Sequence, residues 1–422
     1  MSASSFDCLV VGSGVAGTVA AVRLAGAGLR VAVTGRRAGG TALFSGAGQL
    51  FGPAGPALPA RSPMRVERGS GSPPGHAALS AATRLEVLRA RFPDHPFVRW
   101  GLDADTLGRQ ARDAVALLEL PMDLASERVV LEGGVLREAD LPLRGLAGSR
   151  TLGDGVVFVG LSDLPGVSSR WLARAWGSDA SSVVAAPLDD AAGCGSPLAF
   201  AARLAGDEDR ARRFVASVVA AVRSSEGRGA VVVPPVLGLT FAHRDRLIDT
   251  LSAALDGRTV VEPGAIVDSV WGVRTHRHLA GVRERAGLVV REEVTELRPR
   301  DGGWQATLAD GSDVSSWSVV LAAGGHLGRA CRPLALSAWL KSSMVASRSA
   351  EWSPWQDHAF LQEGVPVDSE GIAVPDGSGA LEACGAVLGG HDPAHDGTGI
   401  GLGLVSGWLA AERLLARREG AR

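Results

Sequence analysis

The strongest constraint on how this chain folds lies in its first 28 residues. A largely apolar run, Phe6 to Val11, leads directly into Gly12-Ser13-Gly14-Val15-Ala16-Gly17, and an alanine-rich stretch with helical spacing follows as far as Gly28. A strand, a G-x-G-x-x-G turn and a helix in this order form the phosphate-binding turn of dinucleotide-binding folds. The order therefore predicts a nucleotide site at residues 12–17.

Each glycine of this turn has a distinct expected role. Gly12 lets the chain turn sharply, Gly14 lets the backbone approach a phosphate, and Gly17 lets the helix pack close to the strand. The helix start offers free N–H groups and a positive dipole end to an anion. Because the chain contains 56 glycines, the prediction also depends on the second strand at 29–34. The alternative is a βαβ turn without a ligand.

Composition narrows the class of protein. A chain of 422 residues exceeds a single core and predicts two or three domains. With 46% hydrophobic residues, 21% charged residues and a net charge of −2, it is typical of globular proteins and does not favour nucleic-acid binding. No uninterrupted apolar run approaches about 18 residues. We therefore expect a cytoplasmic protein that meets the membrane only through a partner.

The four cysteines do not form a metal-binding pattern. Cys8, Cys194, Cys331 and Cys384 are far apart, and no C-x-x-C pair is present to hold zinc or an iron–sulfur cluster. Cys8 and Cys384 lie in apolar, strand-like runs, where a thiol is normally buried and inert. The sequence therefore predicts no metal site.

The rest of the chain predicts a split domain. Residues 51–75 are rich in glycine, proline and serine, which indicates an exposed connector. Strand and helix patterns then alternate, and strand patterns return after residue 288, before a glycine-dense loop and a final helix. We predict an α/β fold in which a Rossmann-like FAD/NAD(P)-binding domain, residues 1–62 and 286–422, is split around an inserted α/β middle domain, 63–285.

This layout resembles the large class of flavoproteins whose dinucleotide-binding domain is split around a substrate domain. The matching pieces are the turn at 12–17, Ala322-Ala323-Gly324-Gly325, and the loop and helix start at 385–402. Within that class the chain is similar to the B-type subunit, a flavoprotein, of the anaerobic glycerol-3-phosphate dehydrogenases. The stretches that carry this resemblance are 41–50, 234–239, 263–274 and 387–393.

The resemblance implies a place in a three-subunit complex. In that family a catalytic flavoprotein subunit oxidises sn-glycerol 3-phosphate to glycerone phosphate, and this second subunit carries a flavin, usually FMN. An iron–sulfur subunit docks at the cytoplasmic face of the membrane and passes electrons to quinone. The implied partners are therefore these two subunits and a small phosphate substrate.

Two departures from the flavoprotein pattern bear on the cofactor. The end of the second strand, where a carboxylate normally holds the adenosine ribose, is Gly35, and the late Gly-Asp pair is Gly385-Ala386. These departures favour FMN, with FAD held mainly through its pyrophosphate as the alternative. The expected flavin-binding residues are Gly12, Ser13, Gly14, Val15, Ala16, Gly17, Arg36, Gly40, Thr41, Ser45, Gly46, Gly324, Gly385, Gly390, Asp392, Thr398, Gly399 and Gly401.

Candidate catalytic groups cluster at Arg274-Thr275-His276. Oxidation of an alcohol needs a base for the hydroxyl proton, and a phosphate substrate needs a cationic clamp. Arg274 is the candidate clamp and His276 the candidate base. The alternative is a solvated polar run at a helix start. The final helix is expected to direct its positive end towards the N1–C2=O edge of the flavin.

Three functions remain open from the sequence. The first is the flavin subunit of a glycerol-3-phosphate dehydrogenase. The second is a scaffold that keeps the fold without its flavin, which the missing carboxylates at 35 and 386 make a real alternative. The third is a free-standing FAD-dependent oxidoreductase that acts on another substrate.

Overall fold

The computed structural model describes residues 4–35, 39–52, 79–162, 164, 167–177, 179–188, 195–265, 269–324, 335–336, 365, 379–391 and 396–420. The strands are β1 (Ser4–Val11), β2 (Val31–Thr34), β3 (Ala47–Gly48), β4 (Glu127–Leu131), β5 (Val135–Ala139), β6 (Leu141–Pro142), β7 (Val157–Leu161), β8 (Ser181–Ala185), β9 (Val231–Val232), β10 (Val260–Val261), β11 (Val289–Arg291), β12 (Val294–Arg300), β13 (Gly303–Leu308), β14 (Asp313–Leu321), β15 (Ala335–Leu336) and β16 (Ala380–Ala383). The helices are α1 (Val15–Gly26), α2 (Ala81–Arg91), α3 (Pro96–Arg99), α4 (Ala104–Leu117), α5 (Ser169–Trp176), α6 (Pro197–Gly206), α7 (Glu208–Arg223), α8 (Phe241–Ala254), α9 (Val270–Arg285) and α10 (Gly399–Gly420).

An eight-stranded sheet joins the two ends of the sequence. Its order is β11-β2-β1-β14-β13-β12-β15, and β16 also pairs with β14. The long strand β14 makes this branching possible, because its second half, Ser318–Leu321, pairs in parallel with both β1 and β16 while its first half pairs antiparallel with β13. Apart from the partly buried Phe6 and Trp317, the apolar residues of β1, β2 and β14 are buried, as expected for a parallel sheet covered on both faces. The predicted fold class is confirmed.

A second, four-stranded sheet lies between these two segments in the sequence. Its strands β10, β9, β7 and β8 are all parallel. Helices α5, α7 and α8 pack on this sheet, and they share a separate hydrophobic cluster with it. Helices α2, α4 and α9, which fall within the predicted middle segment 63–285, instead contribute to the hydrophobic cluster of the large sheet. We therefore propose that the inserted unit is smaller than residues 63–285.

Helix α10 is the longest helix of the described residues. By length and composition it could cross a membrane, but 56% of its most apolar 18-residue window is buried inside the protein. Two glycines on one face, Gly403 and Gly407, lie against α1. Small residues at a helix contact let the two backbones approach closely, so α10 is a core helix of the dinucleotide-binding domain.

The two glycines of α10 predict opposite effects on stability. A Cβ at position 407 would lie 2.4 Å from the carbonyl oxygen of Ala16, whereas a Cβ at position 403 meets no atom closer than 3.6 Å. Gly407→Ala should therefore lower the free energy of unfolding by about 1 to 3 kcal/mol. Gly403→Ala should leave it unchanged or raise it by up to about 1 kcal/mol, through helix propensity. Urea denaturation of both variants measures this, and equal midpoints would contradict the packing described here.

Candidate functional site

The G-x-G-x-x-G turn is held by contacts that only glycine permits. Gly12 has a φ of +120°, and a Cβ on it would lie 2.1 Å from the carbonyl oxygen of Ala322 in the chain leaving β14. A Cβ on Gly17 would lie 2.0 Å from the carbonyl oxygen of Gly12. Gly12 and Gly17 therefore let β1, β14 and the start of α1 meet at backbone contact.

The start of α1 borders open space. Its N-cap, Gly14, supplies no side-chain cap, and among the described residues the side-chain acceptor in the first turn is Thr41 Oγ1, 3.2 Å from the N–H of Val15. Among the described residues, no atom lies within 4 Å of a Cβ built on Gly39, Gly40 or Gly324. The N–H groups of a helix start beside glycine-lined space fit the phosphates of a dinucleotide.

The loop at 39–48 is supported from behind by α9. A Cβ on Gly272 would lie 2.3 Å from the carbonyl oxygen of Ala42, and Ser269 Oγ donates to the carbonyl oxygen of Phe44. Gly46 faces Leu146 and Trp271, so this glycine packs inwards and does not border the open space. Ser45 Oγ accepts the N–H of Ala47 at 3.2 Å. The loop is therefore held in place while Thr41 reaches α1.

The third group of predicted residues meets the first two. The N–H of Gly385 donates to Ser406 Oγ at 2.7 Å, and a Cβ on Gly385 would lie 2.8 Å from Ala16 Cβ. A Cβ on Gly401, in the first turn of α10, would lie 2.5 Å from the carbonyl oxygen of Gln49. The turn at 12–17, the loop at 39–50 and the described residues at 385–391 and 396–401 thus converge.

Several predicted residues stand apart from this convergence. Arg36 and Asp392 lie outside the described residues. A Cβ on Gly390 would lie 2.2 Å from the carbonyl oxygen of Asp94, so Gly390 packs against the segment before α3.

The two cysteines of the described residues are buried. Burial raises the pKa of the Cys8 thiol to about 12, and it also raises the pKa of Cys384, which is consistent with inert thiols.

Arg274 does not fit the predicted role of phosphate clamp. Its side chain is fully buried, Nη1 and Nη2 donate to Glu262 at 2.5 and 3.0 Å, and Nε donates to the carbonyl oxygen of Gly238 at 2.8 Å. Arg244 Nε lies 3.1 Å from the same carboxylate. Burial raises the pKa of Glu262, but the two guanidinium groups outweigh this and hold it below its usual value. Because its donors are satisfied inside the protein, we assign Arg274 a structural role.

His276 and Arg283 both lie on α9. Arg283 Nη1 donates to the carbonyl oxygen of Ser13 and to Thr18 Oγ1, both at 2.8 Å, a contact that the sequence did not predict. Burial lowers the pKa of the half-buried His276, and Arg283 and Arg277 lower it further. Its Nδ1 has no hydrogen-bond partner among the described residues. Its role as a base remains a prediction.

A buried polar cluster lies at the start of α10. Thr398 is one of the predicted flavin-binding residues, whereas Asp396 and His95 were missed by sequence reasoning. Asp396, Thr398, His95 and His391 are all at most 1% exposed. Asp396 Oδ1 accepts hydrogen bonds from the backbone N–H and the side-chain hydroxyl of Thr398, at 2.7 and 2.8 Å. Its Oδ2 lies 3.8 Å from a ring nitrogen of His95 and from one of His391. The sequence carried one signal: an acid two residues before a threonine at a helix start, which is a capping pattern.

His95 predicts a pH dependence of stability. Burial lowers its pKa from 6.5 to about 4, so between these values the unfolded chain binds a proton that the folded chain does not. Stability is therefore complete above pH 6.5 and falls as the pH falls towards 4. Relative to His95→Gln, the native chain should lose up to about 3 kcal/mol over this window. Urea denaturation across this pH range measures the difference in free energy of unfolding between the two chains. A difference that stays constant with pH would contradict the prediction.

Glu262 predicts the cost of breaking the buried cluster. Glu262→Gln leaves Arg274 and Arg244 buried with no carboxylate between them, which should lower the free energy of unfolding by about 3 to 5 kcal/mol. Glu119→Gln, which removes the carboxylate from an exposed pair with Arg285, is the matched control and should leave the urea midpoint unchanged. Similar midpoints for the two variants would contradict the structural role assigned to Arg274.

The comparisons with solved structures are distant. The glycine oxidase from Geobacillus kaustophilus is 14% identical, with 98% of this chain and 95% of that chain covered and a TM-score of 0.36. Mycobacterium smegmatis Sdh1 in complex with UQ1 is 13% identical, with 98% and 69% covered and a TM-score of 0.40. Neither alignment is close enough to assign a role to a residue of this chain.

The comparisons with sequences are more informative. Residues 7–66 match the family model of the FAD binding domain, which gives no specific support to FMN. The chain is 25% identical to the B-type subunit of the anaerobic glycerol-3-phosphate dehydrogenase of Yersinia enterocolitica, over 98% of this chain and 99% of that protein. A probable B-type subunit from Halobacterium salinarum is 28% identical over 49% of this chain and 51% of that protein. The predicted resemblance is thus confirmed: along nearly its whole length the chain is similar to the B-type subunit of the anaerobic glycerol-3-phosphate dehydrogenases, and its residues 7–66 match the FAD binding domain.

Proposed function

We propose that this chain is an FAD-dependent oxidoreductase subunit. The observation that carries the proposal is the convergence of remote segments, 12–17, 39–50, 385–391 and 396–401, near the start of α1, whose N-cap is Gly14. Each segment approaches through glycines whose Cβ atoms would collide with a neighbour or would project into open space. A surface of this kind suits an extended dinucleotide, which needs close approach of backbone along its whole length.

The proposed roles follow the positions of the residues. The first turn of α1 holds the pyrophosphate through its N–H groups, and Arg283 behind Ser13 adds positive charge near that turn. Gly40, Thr41 and Gly324 border the flavin side. The start of α10, at Thr398–Gly401, directs its positive end to the flavin ring. Bound FAD would supply the two-electron acceptor for oxidation of the substrate.

FAD is proposed in preference to FMN because the matching domain family binds FAD. The end of β2 does not carry the usual ribose carboxylate, since Gly35 occupies that position with a φ of +92°. The adenosine is therefore expected to be held mainly through the pyrophosphate. This arrangement predicts weaker retention of FAD than in a protein with the carboxylate.

The proposed substrate is sn-glycerol 3-phosphate, which is oxidised to glycerone phosphate. Support comes from the name of the Yersinia enterocolitica relative, which the chain matches over 98% of its length. The same name supports assembly with further subunits. We propose that these are a catalytic flavoprotein and an iron–sulfur subunit that carries electrons to quinone at the cytoplasmic face of the membrane.

Flavin content tests the proposal. The gently purified chain should carry about one FAD, identified by its absorbance and by chromatography after heat release. Gly14→Val should remove most of the flavin, because a branched side chain would stand at the start of α1 where the backbone meets the phosphates. Circular dichroism should show that the variant is folded.

The control lies at the other end of the same helix. A Cβ on Gly26 would meet no atom within 4 Å, so Gly26→Val should keep both the fold and the flavin. Retention of flavin by Gly14→Val would contradict the proposed site. A folded native chain that binds no flavin, even when FAD is added, would instead favour the scaffold.

A further inference from the structure

Arg283 contacts the G-x-G-x-x-G turn from inside the protein. It lies in the last turn of α9 and is 5% exposed. Its Nη1 donates to the carbonyl oxygen of Ser13 and to Thr18 Oγ1, both at 2.8 Å. Its Nε is buried and has no hydrogen-bond partner among the described residues. The guanidinium group therefore brings a positive charge into direct contact with the backbone of the turn.

The charge of Arg283 differs from those of the other buried arginines. Three more arginines of the described residues are at most 5% exposed, and each pairs with a buried carboxylate: Arg84 with Asp140, and Arg244 and Arg274 with Glu262. No described carboxylate forms an ion pair with Arg283, and burial alone lowers its pKa, to about 10, so the group stays protonated at neutral pH. A cation inside a protein without a counter-charge is costly. The counter-charge of Arg283 is therefore expected from a ligand.

The carbonyl oxygen of Ser13 links this charge to the start of α1. A trans peptide holds its C=O and N–H on opposite sides, and the described residues contain no cis peptide bond, so the N–H of Gly14 points away from Arg283. No described residue accepts a hydrogen bond from that N–H. A cation on the carbonyl side polarises the peptide group and strengthens its N–H as a donor. An anion at the helix start would thus be attracted by this N–H and by the charge behind it.

We propose that Arg283 is a positioning residue for the pyrophosphate of the dinucleotide, and that the bound pyrophosphate supplies the counter-charge that the protein itself does not. This inference rests on the proposed function and deepens it. It names the residue through which the turn favours a charged ligand over a neutral one. Arg283 acts through the peptide group between Ser13 and Gly14.

The proposal predicts opposite effects of Arg283 on stability and on affinity. Without ligand the buried charge is uncompensated, so a neutral side chain of similar length should leave the urea midpoint of the flavin-free chain unchanged or raise it. The carbonyl oxygen of Ser13 would keep a partner, because Thr18 Oγ1 also donates to it, at 3.3 Å. The same neutral side chain should weaken the binding of a pyrophosphate. An arginine with a purely structural role would lower the midpoint and leave the affinity unchanged.

Isothermal titration calorimetry of the flavin-free full chain with ADP and with FAD tests the proposal. Arg283→Gln, which keeps a hydrogen-bond donor without the charge, should weaken the binding of both ligands by about 10-fold or more. Arg283→Met, which removes the donors as well, should weaken it at least as much. Arg283→Lys, which keeps the charge, should bind within about threefold of the native chain. Native affinity in Arg283→Gln, or an equal loss in Arg283→Lys and Arg283→Gln, would overturn the proposal.

A second variant, a second ligand and a second readout control this experiment. Arg285→Gln removes a charge from the same helix, where Arg285 forms an exposed pair with Glu119, and it should bind ADP as the native chain does. Adenosine, which lacks the phosphates, should bind equally to the native chain and to Arg283→Gln. Urea denaturation of the flavin-free chains is the second readout. A midpoint of Arg283→Gln far below that of the native chain, with unchanged ADP affinity, would show a structural role and overturn the proposal.

The two ligands separate this inference from the proposed function. A native chain that binds FAD, with equal affinity in Arg283→Gln, would overturn the role of Arg283 and leave the flavin proposal standing. A native chain that binds ADP but no FAD, and that loses ADP affinity on Arg283→Gln, would support the role of Arg283 and overturn the flavin proposal. A native chain that binds neither ligand would overturn both.

Discussion

The structure depends above all on backbone contacts around the start of α1 that no residue with a Cβ could make. Gly12 meets the chain that leaves β14, Gly17 meets Gly12, and Gly407 brings α10 against α1. The contacts of Gly12 with Ala322 and of Gly407 with Ala16 join segments that are far apart in the sequence. Because they are made by backbone, they hold the uncapped helix start at a fixed place and leave its N–H groups for a ligand.

Residues next to the four-stranded sheet support the loop at 39–48 through a buried charge cluster. Glu262, next to β10, binds Arg274 on α9 and Arg244 on α8, and the guanidinium groups of both arginines lie 4.9 Å from the ring centre of Trp271. The start of α9 then supports the loop that carries Thr41. A buried charge cluster is costly to desolvate, and separating its partners would leave an uncompensated charge inside the protein. The cluster thus ties the position of the loop to the inserted sheet.

Much of this was predictable from sequence, for identifiable reasons. Three features follow from short stretches of sequence and can be predicted without the tertiary structure. They are the turn at 12–17, the return of strand patterns late in the chain, and the absence of a carboxylate at Gly35. The structural role of Arg274 could not be predicted from the sequence. Its partner Glu262 lies 12 residues away in a different element, and nothing in the pattern Arg274-Thr275-His276 distinguishes a buried ion pair from a substrate clamp.

The sequence alone determined the order of strand, turn and helix, and with it the α/β class and the nucleotide turn, since glycine spacing and apolar periodicity act through neighbouring residues. Only the tertiary structure decided which polar groups meet. His95 and Thr398 are 303 residues apart in the sequence, and Ser13 and Arg283 are 270 residues apart. Such pairings result from packing between elements that are remote in the sequence, and no local sequence pattern specifies the distances between their side chains.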